Sequence, residues 1–252
     1  MIAVIAGVVT LVFTTVLTIA GVGAAFILIP VFMALGIDVH TAMSTALLLN
    51  ALAMSAASVR FVRQKLVVWP VALPILVVAT ALSPLGAWVS TGLDRRVLLW
   101  LFVAFLLFAA GMMLFYRPGS RASLRTQGPR PLRAQLGYGV GVGGLAGFLG
   151  GLLGVGGGNF IVPTMVAMGF DPKQASATTS FIVIFSSLGG FVGHVSISGL
   201  EWPLLGATAL GSVLGAVVGS YLMTDRLRGP QVKVLIGVVL LGVAGKMIWG
   251  LR

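Results

Sequence analysis

The chain has 252 residues, 58% of them apolar and 8% charged, with 16 Lys and Arg against 5 Asp and Glu. Soluble domains carry about 25% charged residues, so a soluble globular protein is excluded, and several apolar runs of about 20 residues are long enough to span a bilayer. The absence of cysteine excludes disulfides, thiolate metal sites and cysteine nucleophiles. The net charge of +11 lies in the loops between apolar runs, which is the pattern of a membrane protein and not of a nucleic-acid-binding face.

In chain order the apolar segments fall at 2–20, 25–35, 41–59, 67–89 and 97–116, then at 134–153, 160–169, 174–192, 202–223 and 232–249. The start, Met1-Ile2-Ala3-Val4-Ile5, lacks the positive n-region of a cleaved signal and reads as the first span. The linker at 117–133 separates a first membrane unit (1–116) from a second (134–252). It carries Arg117, Arg121, Arg125, Arg130 and Arg133 among Pro118, Gly119, Pro129 and Pro131. Such a cluster marks a cytoplasmic loop and favours contact with anionic lipid headgroups.

The two units align without gaps at an offset of 133 residues. Gly21, Val22, Gly23 and Pro30 fall on Gly154, Val155, Gly156 and Pro163; Gly36, Asp38, Ala42 and Thr45 fall on Gly169, Asp171, Ala175 and Thr178; Trp69-Pro70 falls on Trp202-Pro203. The sequence thus predicts an all-α polytopic membrane protein of two homologous repeats. Each has a broken helix or re-entrant hairpin plus three spanning helices. Both parallel and inverted copies fit that count. Charge favours inversion, because it places 12 of the 16 basic residues on one side, and because the loop with Arg60, Arg63 and Lys65 corresponds to one with His194 and Glu201 and no basic residue.

Glycine runs are costly in a helix interior, and unpaired peptide groups in hydrocarbon cost several kcal/mol each. Gly154-Val155-Gly156-Gly157-Gly158-Asn159 therefore reads as a deliberate break that aims N–H groups from the start of a short helix, a good place for an anion. Gly21 and Gly23 mark the matching break. The four-residue glycine series at 143, 147 and 151 and at 211, 215 and 219 are instead expected to let helices pack closely. Ser and Thr line the helices that follow the breaks, and Asn50 and Asn159 are costly to bury without partners. Asp38 and Asp171 are expected to cap helices. His194, at a span's end, is a candidate for proton coupling. No acid sits at a span centre, which argues against a carboxylate proton relay and an oxygen-ligand cation site. Without a nucleophile–base pair, an enzyme is not supported.

The paired Gly-Val-Gly segments, Pro30 and Pro163, the Gly36-x-Asp38 and Gly169-x-Asp171 turns, the Ala/Ser/Thr-rich helices after them and the basic central linker resemble the TauE/SafE family of sulfite exporters. The resemblance covers nearly the whole chain. It implies export of sulfite or a related organosulfur anion across the bacterial inner membrane. The expected site comprises Gly21, Gly23, Thr45, Asn50, Gly154, Gly156, Gly157, Gly158, Asn159, Thr178 and Thr179, weighted to the second copy because the first reads Ala24-Ala25-Phe26 where the second has Gly157-Gly158-Asn159. No cofactor or metal is expected. The expected partners are a small oxyanion and membrane lipid, with a homo-oligomer left open. A permease or channel for another small solute is the alternative.

Overall fold

The computed structural model describes residues 2–34, 36–115, 132–195 and 202–251. Linker residues 117–131, with Arg117, Arg121, Arg125 and Arg130, lie outside the described residues, as does Glu201. The described chain is helical throughout, without strands: α1 (Ile2–Ala20), α2 (Ala25–Ala34), α3 (Val39–Arg63), α4 (Trp69–Ser90), α5 (Arg95–Phe115), α6 (Leu132–Leu152), α7 (Gly158–Ala167), α8 (Pro172–Val195), α9 (Trp202–Tyr221) and α10 (Gly229–Leu251). The starts of α2, α3 and α4 recur 133 residues later at α7, α8 and α9, so a five-helix unit occurs twice. Helices α3, α4 and α8 are long and apolar enough to cross a membrane. Val77, Trp88, Leu145 and Leu210 are 63–71% exposed, an outer surface that suits hydrocarbon better than water.

Local sequence explains the element ends. Asp38 accepts hydrogen bonds from the N–H groups of His40 and Thr41 at the start of α3, and Asp171 accepts from Lys173 N–H before α8, whose first residue is Pro172. Both aspartates cap, as their spacing suggests. Gly21, Gly23 and Gly36 and their partners Gly154, Gly156 and Gly169 all have φ between 68° and 91°, a region that residues with a Cβ seldom enter. The repeated glycines therefore mark repeated left-handed turns.

The most extensive helix contacts all join one copy to the other: α4 with α6, α1 with α9, α3 with α8. Glycines make the first two close. A Cβ on Gly147 would stand 2.3 Å from the Ala79 carbonyl oxygen, and one on Gly215 would stand 2.5 Å from that of Leu11. Helices α3 and α8 run antiparallel at the centre. The His40 ring lies 5.8 Å from that of His194, Leu47 lies against Gly190, and Asn50 bonds Ser187. Helix α4 runs parallel to α8, with Val68 bonded to Thr178 at one end and Ala87 against Gly193 at the other.

Candidate substrate site at the two helix breaks

Both Gly-Val-Gly segments interrupt their helices, and the interruptions meet in the interior. Residues 17–25 and 150–159 are buried without exception. A Cβ on Gly158 would stand 2.8 Å from the Val22 carbonyl oxygen, which puts the two breaks in contact. Helix α8 ties them down: Ser176 Oγ donates to the Ala20 carbonyl at 3.1 Å, and Ser186 Oγ donates to the Gly156 carbonyl at 2.6 Å.

Asn50 joins the breaks. Its Oδ1 accepts from Ala24 N–H at 3.0 Å, and its Nδ2 donates to Ser187 Oγ at 3.0 Å. A Cβ added to Gly23 would fall 1.9 Å from Asn50 Oδ1, and one added to Gly156 would fall 2.2 Å from Ser187 Oγ and 3.2 Å from Asn50 Nδ2. One side chain of the first copy thus touches both turns. The offset that carries Gly23 to Gly156 carries Asn50 to Val183, and Val183 packs on Gly156 as Asn50 packs on Gly23. Valine has no acceptor to offer.

That substitution leaves the Gly157 N–H without the acceptor that Asn50 gives to Ala24 N–H. Its backbone bonds run from Gly154 N to Gly151 O and from Val155 N and Gly156 N to Gly150 O, and resume at Phe160 N to Gly157 O. The N–H groups of Gly157, Gly158 and Asn159 have no acceptor among the described residues, whereas in the first copy Asn50 satisfies Ala24. These are the free donors of a helix start. Beside them Asn159 is fully buried with neither Oδ1 nor Nδ2 hydrogen-bonded. An amide in that condition costs about 1–3 kcal/mol, so it calls for a reason. The remaining Nδ2 hydrogen of Asn50 and the hydroxyl hydrogen of Ser187 add donors to the same layer. No Lys, Arg, Asp or Glu stands among these groups.

A family model described as sulfite exporter TauE/SafE matches residues 5–247 of the chain. The chain belongs to the TauE/SafE family. It is therefore a membrane transporter of that family, and it is similar along its length to the probable membrane transporter protein YunE of Bacillus subtilis (strain 168), with 26% identity over 255 residues covering 93% of each chain. Shorter likenesses link it to two TauE/SafE family proteins of Arabidopsis thaliana. Sulfite exporter TauE/SafE family protein 6 is 44% identical over 62 residues, covering 25% of this chain and 13% of the relative. Family protein 2 is 32% identical over 108 residues, covering 38% and 22%. No solved structure matches.

Not every residue expected in the TauE/SafE site lies in this layer. Gly23, Asn50, Gly156, Gly157 and Gly158 are brought together with Ser186 and Ser187, and Asn159 follows directly in the chain. Gly21 packs on the Ser176 backbone and Gly154 on Met43, so both lie toward opposite ends of the central helices. Thr45 is five residues before Asn50 on α3, and Thr178 is nine before Ser187 on α8. Because α3 and α8 are antiparallel, a rise of about 1.5 Å per residue separates the two threonines by about 20 Å along the bundle. One small anion cannot touch both. Thr178 Oγ1 accepts from Val68 N–H at 3.0 Å, a loop-fixing bond, while Thr45 Oγ1 and Thr179 Oγ1 are buried without partners. His194 is fully buried with Nε2 2.9 Å from the Gly151 carbonyl oxygen, three residues before Gly154. Neither Ser186 nor Ser187 is among the expected site residues.

Proposed function

We propose that this protein exports a small oxyanion, sulfite or a related organosulfur anion, across the bacterial inner membrane by alternating access. The observation that carries the reading is the donor set of the second break: three N–H groups at the start of α7 and the unbonded amide of Asn159. Donors without a cation suit an anion that must be bound and then released, since a helix start offers about half an elementary charge. The two copies are proposed to be inverted. The antiparallel run of the equivalent helices α3 and α8 supports this, as does the gathering of Arg60 and Lys173 at one end. By the bias of basic residues that end faces the cytoplasm. Inverted repeats with interrupted helices meeting at mid-depth are a recurring transporter plan. The site is sealed in the conformation described, so binding requires the halves to rock apart. His194, packed beside His40 and against Gly151, is the proposed point of proton coupling. The membrane potential, which drives anions out of a negative interior, is the other source of energy.

Efflux from proteoliposomes loaded in parallel with sulfite, sulfoacetate, sulfate and a neutral solute of similar size tests this. A sulfur oxyanion leaving at least tenfold faster than from protein-free vesicles, with the neutral solute retained, is the expected result. Efflux of the neutral solute alone would overturn the reading in favour of a different permease.

A further inference from the structure

The π-helical turn Leu222–Arg226 after α9 carries a charged cluster that the central site does not use. Arg60, in the last turn of α3, reaches across to the other copy. Its Nε donates to Thr224 Oγ1 at 2.8 Å, its Nη2 pairs with Asp225 Oδ2, and its guanidinium lies 5.0 Å from the Tyr221 ring centroid. Lys173, at the start of α8, donates from Nζ to the Thr224 carbonyl at 2.9 Å. Three elements from both copies are thus tied at one end. The offset of 133 carries Arg60 to Gly193 and relates Asp225 to Gly92, so the repeat supplies no such cluster at the other end.

We infer that Arg60 is a receiving station for the anion at the basic end, and that an oxyanion arriving there replaces the Asp225 carboxylate and unlatches α3 from the π turn. A guanidinium binds carboxylates and other oxyanions through the same planar fork. Asp225 therefore occupies the position an oxyanion would take. The Thr224 hydroxyl and Arg60 hold the Asp225 carboxyl below its usual pKa, so it is ionised at neutral pH and competes for Arg60 as an anion. Side-chain exposures of 34% for Arg60 and 38% for Asp225 leave the pair open to solution, and exposed pairs are weak. Arg63, Lys65, Arg226 and Arg228 are exposed at or near the same end and raise the local anion concentration. The π turn suits the task because such irregular turns recur at functional sites. Separation of Arg60 from Asp225 frees the end of α3, the helix that carries Asn50 to the breaks. The inference rests on an anionic cargo for its physiological meaning, but the latch is testable by itself.

The chain has no cysteine, so a single Ser58→Cys reports opening cleanly. Ser58 is 4% exposed and sits just inward of Arg60 on α3. The probe is sulfate, which reacts with neither thiols nor alkylating reagents. It is compared with sodium chloride at equal ionic strength on the purified full chain treated with a charged water-soluble alkylating reagent. Sulfate is expected to speed alkylation at least threefold. Asp225→Asn in the same background is expected to alkylate at least threefold faster without sulfate. Arg60→Gln is expected to be fast and indifferent to sulfate. The exchanged pair, Arg60→Asp with Asp225→Arg, returns to the slow rate, which a merely misfolded variant would not do. Asn159→Leu in this background should keep the sulfate response, so failure of the central site shows in efflux alone. Equal rates in sulfate and chloride, a sulfate effect that survives Arg60→Gln, or Asp225→Asn alkylating at the parent rate would each overturn the inference.

Discussion

Asn50 and Asn159 are both fully buried, yet their amides are in opposite states. Asn50 bonds Ala24 N–H and the Ser187 hydroxyl, whereas Asn159 bonds nothing. Substitution by leucine should therefore act in opposite directions. Asn50→Leu leaves the Ala24 N–H unpaired in the interior and breaks the link to α8. It should destabilise the protein by about 2–4 kcal/mol, since an orphaned buried donor alone costs about 1–3 kcal/mol. Asn159→Leu removes a desolvated amide without breaking a bond and should leave stability unchanged or raise it by about 1 kcal/mol. Melting temperatures of the two variants in detergent check the contrast. A loss of equal size in both would show that Asn159 has a structural partner. The asparagines were legible in the sequence as costly residues to bury, but which of them is satisfied was not. That depends on a contact with Ser187, 137 residues away.

At the scale of helices, the glycine series separates into packing faces and breaks, as its spacing suggested. Four-residue spacing puts Gly143, Gly147 and Gly151 on one face of α6, and each would place a Cβ within 3 Å of an α4 carbonyl oxygen. Gly147→Leu should push α6 from α4 and lower the melting temperature by several degrees, since overpacking a tight contact costs about 1–3 kcal/mol. Gly141→Leu on the same helix, where a Cβ meets nothing within 4 Å, should shift it little. Equal effects would mean that helix propensity rather than close approach sets the cost. The breaks were legible because left-handed turns demand glycine at the same places in both copies. The role of the hydroxyls was less so. A helical wheel places Thr45 and Thr178 on equivalent faces but says nothing of depth, and the antiparallel run of α3 and α8 then sends equivalent residues to opposite ends. Ser186 carries no sequence signal because a serine in a membrane helix ordinarily bonds its own preceding turn, whereas here its shortest bond is to Gly156 O, 30 residues away.

For the whole molecule, the two copies are interleaved rather than adjacent: α1 packs on α9 and α4 on α6, and among the described residues one core cluster draws on both copies. The repeat and the membrane class follow from the sequence because a gapless offset and a composition 58% apolar and 8% charged leave few folds open. The copies differ at the points where the repeat is broken. Val183 stands in place of Asn50's equivalent and leaves the Gly157 N–H open, while Arg60 and Asp225 meet at one end only. Under the proposed function, that asymmetry would supply a binding side and a direction. The central claim, that the start of α7 receives the anion, is tested most directly by sulfite efflux from proteoliposomes carrying Asn159→Leu, reconstituted at the parent's density. Efflux reduced at least tenfold, in a protein that melts no lower than the parent, is the predicted result. Efflux at the parent rate would contradict the account and remove the second break from the substrate's path.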